Sequence, residues 1–295
     1  MEAVPFTKMS GVGNDFIIVD NRAGIVPESG LQEFARRVCT RRMSLGGDQL
    51  MLIEAPTSSG DFSMRTINPD GTEVKMCGNA SRCVARYAYR HGIAAARMTI
   101  DTLGGPVCAW VEGDEVRVQL QLTSVIDLDH ALVADGESYV ARTVHVSGAP
   151  HAVVYLNEVA RASSDAIHHL GAAIRHHADF PQGINVNFVQ VMDRHTLCQR
   201  TFERGVEGET LACGTGAVAS SVISALLGQV DSPVRLRVLG GELCVSFERQ
   251  GDGFGELFLG GGARFVAEGV LHPEAWSWEE AGLIAPATFV SAVAP

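Results

Sequence analysis

The 295-residue sequence has no run of lysines or arginines and carries a formal charge of −11, so it lacks the basic patch that a nucleic-acid partner needs. No apolar stretch is long enough to cross a membrane, and the longest, Ala217 to Leu227, is interrupted by three serines. Met1-Glu2-Ala3-Val4-Pro5 has neither the basic start nor the apolar core of a secretory signal. The seven cysteines are sparse and odd in number, and none stands in a Cys-x-x-Cys pair, which argues against a disulfide scaffold and against a zinc site. A reducing cytoplasm is the compartment that fits, and no nucleic-acid or membrane partner is expected.

The composition that remains, 46% hydrophobic and 19% charged, is that of a soluble globular protein long enough for two domains with separate cores. The chain also repeats itself. Cys77 and Cys213 are 136 residues apart, and the same offset relates Glu73 to Glu209, Gly78 to Gly214, Gly92 to Gly228, Leu103-Gly104-Gly105 to Leu239-Gly240-Gly241, and Cys108 to Cys244. An offset that holds without a gap over some forty residues marks two copies of one structural unit, each with a cysteine at the start of a helix. The expected units are 1–125 and 126–269, with the tail 270–295 packing back on the first.

Phe6 to Asp20 has the pattern strand, turn, strand, with glycines and Asn14-Asp15 as the turn. Helices are expected over Leu31 to Arg42, Gly78 to Arg90, Ser164 to His176 and Gly214 to Leu227, with glycines stopping the second and fourth. Buried strands are expected to end at Ile53 and Asn68 and to run over Tyr139 to Val146, Ala152 to Leu156, Asn185 to Met192 and Cys198 to Glu203.

At the start of a helix, unpaired amides and the macrodipole favour a thiolate, so a cysteine there can fall from about 8.5 to roughly 3.5–7.5. A lone cysteine is more often a small buried hydrophobe. Two at equivalent places in a repeat, each followed by glycine, point instead to chemistry. Facing each other across a cleft, they could take a proton from one side of a carbon and return one on the other, inverting a stereocentre. A positioned acid or base supplies about 10²–10⁴-fold, too little by itself to ionise an amino-acid α-carbon. Helix-start amides at Gly78, Asn79, Gly214 and Thr215 could supply the rest by holding the carboxylate as it becomes enolate-like. His151 is a further candidate, opening a strand near the second cleft, whereas His168, His169, His176 and His177 lie on one helix and have a solvated face as their simplest reading. Cys39, Cys83, Cys108, Cys198 and Cys244 fall within helix or strand patterns and are expected in the core. No pyridoxal-phosphate motif is visible, and no metal site is expected.

These residues resemble the diaminopimelate epimerase family from Phe6 to about Gly269. The resemblance rests on Gly13-Asn14-Asp15-Phe16, Gly47-Asp48-Gln49, Asn68-Pro69-Asp70-Gly71, Met76-Cys77-Gly78-Asn79, Asn185-Val186-Asn187-Phe188, Glu203-Arg204-Gly205 and Glu209 to Gly216. It implies an α/β (α+β) fold of two pseudo-symmetric domains, each a mixed β-sheet or barrel wrapped round a central helix. The implied activity is cofactor-independent interconversion of LL- and meso-diaminopimelate for lysine and peptidoglycan synthesis, with Cys77 and Cys213 as the two bases. Asn14, Asn68, Asn185 and Arg204, with Gln49 nearby, match contacts to the distal end of this small-molecule substrate. Glu203 and His151 match residues near the reacting centre, and Gly78, Asn79, Gly214 and Thr215 those that hold the α-carboxylate. A homodimer is a further expectation that the sequence does not itself carry. Two positions depart from the family pattern: Ala149 stands where the family often has Asn, and the loop from Arg204 to Cys213 is one residue longer, with Glu207 as the insertion.

Overall fold

A computed structural model describes residues 3–124, 126–251 and 253–277. Four helices, α1 (Leu31–Cys39), α2 (Gly78–Arg90), α3 (Ser164–Arg175) and α4 (Gly214–Leu226), are set among strands that join into one 17-stranded sheet, with a separate two-stranded hairpin. In the first half, Val4–Gly11 pairs antiparallel with Asn14–Asp20, which runs parallel to Gln49–Glu54. Phe62–Ile67 then pairs antiparallel with Gln49–Glu54 and with Glu73–Val74, and parallel with Arg97–Asp101. Val107–Glu112 and Glu115–Leu120 complete the half as antiparallel neighbours.

The second half repeats these directions strand for strand, through Arg142–Val146, Ala149–Tyr155, Asn185–Asp193, Thr196–Glu203, Gly208–Thr210, Val234–Val238, Gly241–Gln250 and Gly253–Gly262. The last strands of the two halves pair antiparallel with each other, Val118 opposite Leu259, as a pseudo-two-fold axis between the copies requires. A final strand, Arg264–Leu271, returns to pair with Val4–Gly11.

Each half wraps its sheet round one central helix, α2 or α4. α4 is buried on nearly every side, and Ala217, Ala219, Ser220, Ser221 and Ser224 keep it thin enough for strands to approach all round. Both helices end alike: Gly92 and Gly228 have φ of 67° and 68°, and the next amides, of Ile93 and Gln229, reach back to the carbonyls of Ala88 and Ser224 at 2.8 and 2.9 Å. This is the six-to-one hydrogen bond of a glycine-terminated helix, and its repetition gives the Gly92 to Gly228 offset a cause. One core, containing Val84, Val118, Val222 and Leu259, joins the two central helices. The outer faces of the halves are covered by α1 and α3, and Ser163 caps α3 by accepting from the Ala166 amide at 3.2 Å.

Four expected elements differ in extent. α1 stops at Cys39 rather than Arg42, because the chain turns back and the amides of Gly46 and Gly47 cap the carbonyls of Val38 and Cys39 at 3.0 and 3.1 Å. The strand expected over Tyr139 to Val146 divides at Ala141 into Glu137–Val140, which pairs with Ala131–Ala134, and Arg142–Val146. The strand expected from Ala152 starts at Ala149, so His151 lies inside it rather than at its opening. The strand expected from Cys198 begins two residues earlier, at Thr196, and ends at Glu203 as anticipated. Trp276 packs edge-on against Phe34, 5.3 Å between ring centroids, which ties the described part of the tail to α1. Residues 278–295, the rest of that tail, lie outside the described residues.

Candidate active site

The starts of α2 and α4 meet at the pseudo-two-fold axis. A Cβ added at Gly78 or at Gly214 would lie 3.2 or 2.6 Å from the same atom, Cδ2 of Leu259, so glycine at both places lets the two helix ends close on one side chain. Cys77 and Cys213 are the N-caps, each with extended backbone, φ −134° and −117°. Both therefore stand at the positive end of a helix with free amides. Cys77 is half-buried and Cys213 is 6% exposed.

Helix position does not decide the charge of these thiols. Burial pushes both up from the ordinary cysteine value, against the expectation that they fall. The amides of Ala80 and Asn79 pull Cys77 down, and the Gly216 amide with the Thr215 hydroxyl pulls Cys213 down, but neither pull outweighs desolvation. The Glu203 carboxylate raises both thiols further. Burial also raises Glu203, with Asp48 adding to the effect and the Thr210 hydroxyl opposing it.

A chain of hydrogen bonds fixes one side of the cleft. The Asn187 side-chain amide donates to the Ala152 carbonyl at 3.1 Å and lies 3.2 Å from His151 Nδ1. An NH₂ group facing Nδ1 leaves that nitrogen as the acceptor, so the proton sits on Nε2. Burial lowers His151 to about 3, so the ring is neutral near pH 7. Nε2–H then meets the Thr215 hydroxyl at 2.9 Å, and that hydroxyl lies 3.6 Å from the Cys213 sulfur. With His151 donating to its oxygen, Thr215 is left to donate to the sulfur. Asn187 Oδ1 in turn accepts from Thr201 at 3.1 Å. Gly216 makes room for this arrangement, since a Cβ there would fall 2.2 Å from Asn187 Oδ1 and 3.2 Å from the Cys213 sulfur.

On the other side Asn79 takes the place of Thr215. Its Nδ2 donates to Asn14 Oδ1 at 2.6 Å and to the Ala212 carbonyl at 3.3 Å, linking the two helix starts, and Asn14 Nδ2 donates to Asp48 at 3.0 Å. Gln49 Nε2 donates to Asn68 Oδ1 at 2.9 Å. Asn185 donates to the Pro150 carbonyl and accepts from the Arg204 amide, both at 2.9 Å. The exposed Arg204 guanidinium makes one long contact, 3.4 Å to the Gln182 carbonyl. The sequence-predicted residues thus fall into separate hydrogen-bonded groups: His151 with Thr215 and Cys213, Asn14 with Asn79, Gln49 with Asn68, and Asn185 with the Arg204 backbone. Of the amides expected to face substrate, Gln49 Oε1 is the buried atom without a partner among the described residues.

Several residues of this network escaped the sequence reading. Arg65 pairs with Glu73 (Nη2 to Oε2 2.8 Å), and Arg200 pairs with Glu209 through two contacts, one of them 2.7 Å. Each holds the short strand leading to a cysteine, and the repeated glutamates were the available signal. Asn187, two residues after Asn185 in an otherwise apolar strand, carried a weaker one. Glu207, the expected insertion, has φ of 55° and is held by Arg175 at 2.9 Å. Cys108 and Cys244 are half-buried, whereas Cys39, Cys83 and Cys198 are buried. Among the described residues no group of three or more His, Cys, Asp or Glu is gathered to hold a metal, and no helix is long and apolar enough to cross a membrane.

Comparison with known proteins agrees with this geometry. The sequence model of the family described as Diaminopimelate epimerase matches residues 6–126 and 143–266. A diaminopimelate epimerase of Aquifex aeolicus (strain VF5) is 40% identical over 281 residues, covering 91% of this chain and 98% of the relative. One from Pseudomonas entomophila (strain L48) is 40% identical over 280 residues, covering 90% and 97%. Among solved structures, a PhzF-family phenazine biosynthesis protein of Bacillus anthracis has a TM-score of 0.68 at 14% identity, covering 92% of this chain and 99% of that one. A hydroxyproline epimerase of Agrobacterium vitis, with trans-4-hydroxy-L-proline bound, has a TM-score of 0.68 at 15% identity, covering 92% and 91%. These distant structures share the fold, while the family match and the close relatives speak to lineage: the chain belongs to the diaminopimelate epimerase family.

Proposed function

We propose that this protein epimerises LL-2,6-diaminopimelate to meso-diaminopimelate without a cofactor, using Cys77 and Cys213 as the two bases. The observation that carries the reading is the pair of cysteines capping equivalent helices at one axis. One sulfur, as thiolate, takes the α-proton, and the other, as thiol, gives a proton to the opposite face. Amides at Gly78, Asn79, Gly214 and Thr215 hold the α-carboxylate as negative charge moves onto it. His151 holds the Thr215 hydroxyl against Cys213. Asn14, Gln49, Asn68, Asn185 and Arg204 receive the distal amino-acid group, Arg204 by its exposed guanidinium, which makes one long contact to the Gln182 carbonyl.

The product would feed lysine and peptidoglycan synthesis in the cytoplasm. The repeated strand pairing supports two domains, 1–125 and 126–269, although the strand Arg264–Leu271 that spans the second boundary pairs with the first. Val266 and Val270, 62% and 63% exposed on the strand Arg264–Leu271, support a homodimer. Ala149 favours a second reading, a two-thiol racemase of another amino acid, because it removes a polar side chain where the family often has one. Assaying the purified protein on LL-diaminopimelate and on a panel of one-carboxylate amino acids, with no cofactor added, separates the two. Conversion of diaminopimelate alone supports the first, and equal turnover of a one-carboxylate substrate replaces it with the second.

A further inference from the structure

Arg82 heads the fully buried side chains by size, with no exposed surface at all. It lies four residues after Gly78 on α2, so its guanidinium reaches back to the helix start. There it donates to Asn79 Oδ1 at 2.9 Å and to the Gly78 carbonyl at 3.4 Å. Its Nε has no partner among the described residues, and no carboxylate among them stands within ion-pair distance. Gly261, on the strand pairing that joins the halves, packs against it: a Cβ there would sit 3.4 Å from Nε and Nη2, in ordinary contact.

A buried guanidinium without a counter-ion is costly, and proteins retain few of them. The repeat supplies an internal control. The equivalent position on α4 is Val218, also fully buried, so the fold accepts an apolar side chain at this level of a central helix. The two thiols therefore stand in different surroundings. Cys213 faces Glu203 and Cys77, both acting to keep it protonated, and only neutral donors oppose them, the Gly216 amide and the Thr215 hydroxyl backed by His151. Cys77 also faces Glu203, which acts to keep it protonated, but Arg82 is a cation that opposes it there. Arg82 itself faces Cys77, Cys83 and Glu115, and Cys83 faces Arg86 in addition.

We propose that Arg82 is the fixed counter-charge of the site, holding Asn79 in the carboxylate cradle and offsetting the negative charge that gathers at Cys77, so that Cys77 is the sulfur that carries the charge before substrate binds. The proposal rests on the two-thiol reading. Arg82 is a positioning residue, since it acts through Asn79 and through its field and not by touching substrate.

The test is the pH dependence of Cys77 alkylation by iodoacetamide in the full-length protein, read by peptide mass spectrometry so that the other six cysteines do not contribute. Arg82→Met keeps the length and removes the charge, and its alkylation midpoint is expected to rise by about one pH unit or more. Its kcat is expected to fall by about tenfold or more, with melting temperature no lower than wild type. Arg82→Lys, which keeps the charge, is expected to leave the midpoint near that of wild type. If the Met variant does not fold, Arg82→Gln takes its place with the same expectation. An unshifted midpoint in the neutral variant overturns the proposal, whatever its activity, because lost activity without a shift means a structural role. Failure of the two-thiol reading shows separately, as retained inversion in Cys77→Ala.

Discussion

His151 Nε2 lies 2.9 Å from the Thr215 hydroxyl, and that hydroxyl lies 3.6 Å from the Cys213 sulfur. The order of donors runs one way along this chain, because Asn187 occupies the other ring nitrogen. A neutral histidine held in one tautomer thus leaves a threonine hydroxyl to donate to the Cys213 sulfur.

Thr215→Val keeps the shape and removes that donor. A hydrogen bond to a charged group is worth about 1.5–3 kcal/mol, so kcat/KM is expected to fall by roughly 10- to 100-fold, and the buried His151 Nε2–H left without its acceptor costs about 1–3 kcal/mol of stability. Steady-state kinetics alongside thermal unfolding checks this. Unchanged kinetics would mean that the hydroxyl does not serve the thiolate.

The same histidine predicts a pH dependence of stability. Folded His151 is lowered to about 3, below the ordinary value near 6.5, so between these values the unfolded chain binds the extra proton. Its contribution is complete above about pH 6.5 and is lost progressively as pH falls towards 3. The window from about 6.5 to 5 lies above most carboxylate titrations. In it the wild-type melting temperature is expected to drop on acidification more steeply than that of His151→Gln. Parallel curves for the two proteins would contradict the assignment.

The two Arg–Glu pairs should differ sharply in worth. Arg200 and Glu209 have side chains only 6% and 9% exposed, whereas Arg65 and Glu73 are 21% and 28% exposed. Removing one partner of a buried pair strands the other and costs about 3–5 kcal/mol, against about 0–1 kcal/mol for a solvent-reached pair. Glu209→Gln is therefore expected to destabilise the fold well beyond Glu73→Gln in denaturant unfolding. Equal losses would show that the second pair is hydrated.

Arg204→Lys tests the distal end of the substrate. Its guanidinium is exposed and nearly free, and a lysine cannot reproduce a planar two-pronged contact to a carboxylate. KM for diaminopimelate is expected to rise by about tenfold or more with a smaller change in kcat. The neighbouring asparagines are already held by other protein groups, Asn14 by Asp48 and Asn79, Asn68 by Gln49, and Asn185 by the Pro150 carbonyl and the Arg204 amide, so rejection of a one-carboxylate analogue rests mainly on the Arg204 guanidinium and on Gln49 Oε1. An unchanged KM would remove Arg204 from the site.

Much of this was legible in the sequence because glycine and cysteine mark backbone events. The 136-residue offset located both central helices, both N-caps and both glycine stops. The Arg65–Glu73 and Arg200–Glu209 pairs were only half visible. The glutamates share the offset, but the arginines lie on another strand, before a loop that is one residue longer in the second half. The direction of the thiol shifts was misread because helix position can be read from a sequence and burial at the meeting of two domains cannot. Arg82 hid for a similar reason: one of three arginines in an amphipathic helix looks solvated until a second sheet closes over it.

The central claim is that each sulfur serves one face of the α-carbon, and it is tested most directly in D₂O. Wild type, Cys77→Ala and Cys213→Ala would each be incubated with LL-diaminopimelate and no added cofactor, while proton NMR follows the α-hydrogen and chiral analysis follows the meso product. Wild type is expected to form meso-diaminopimelate with solvent deuterium at the inverted carbon, and neither variant should invert it. Full turnover by either alanine variant would contradict the two-base account.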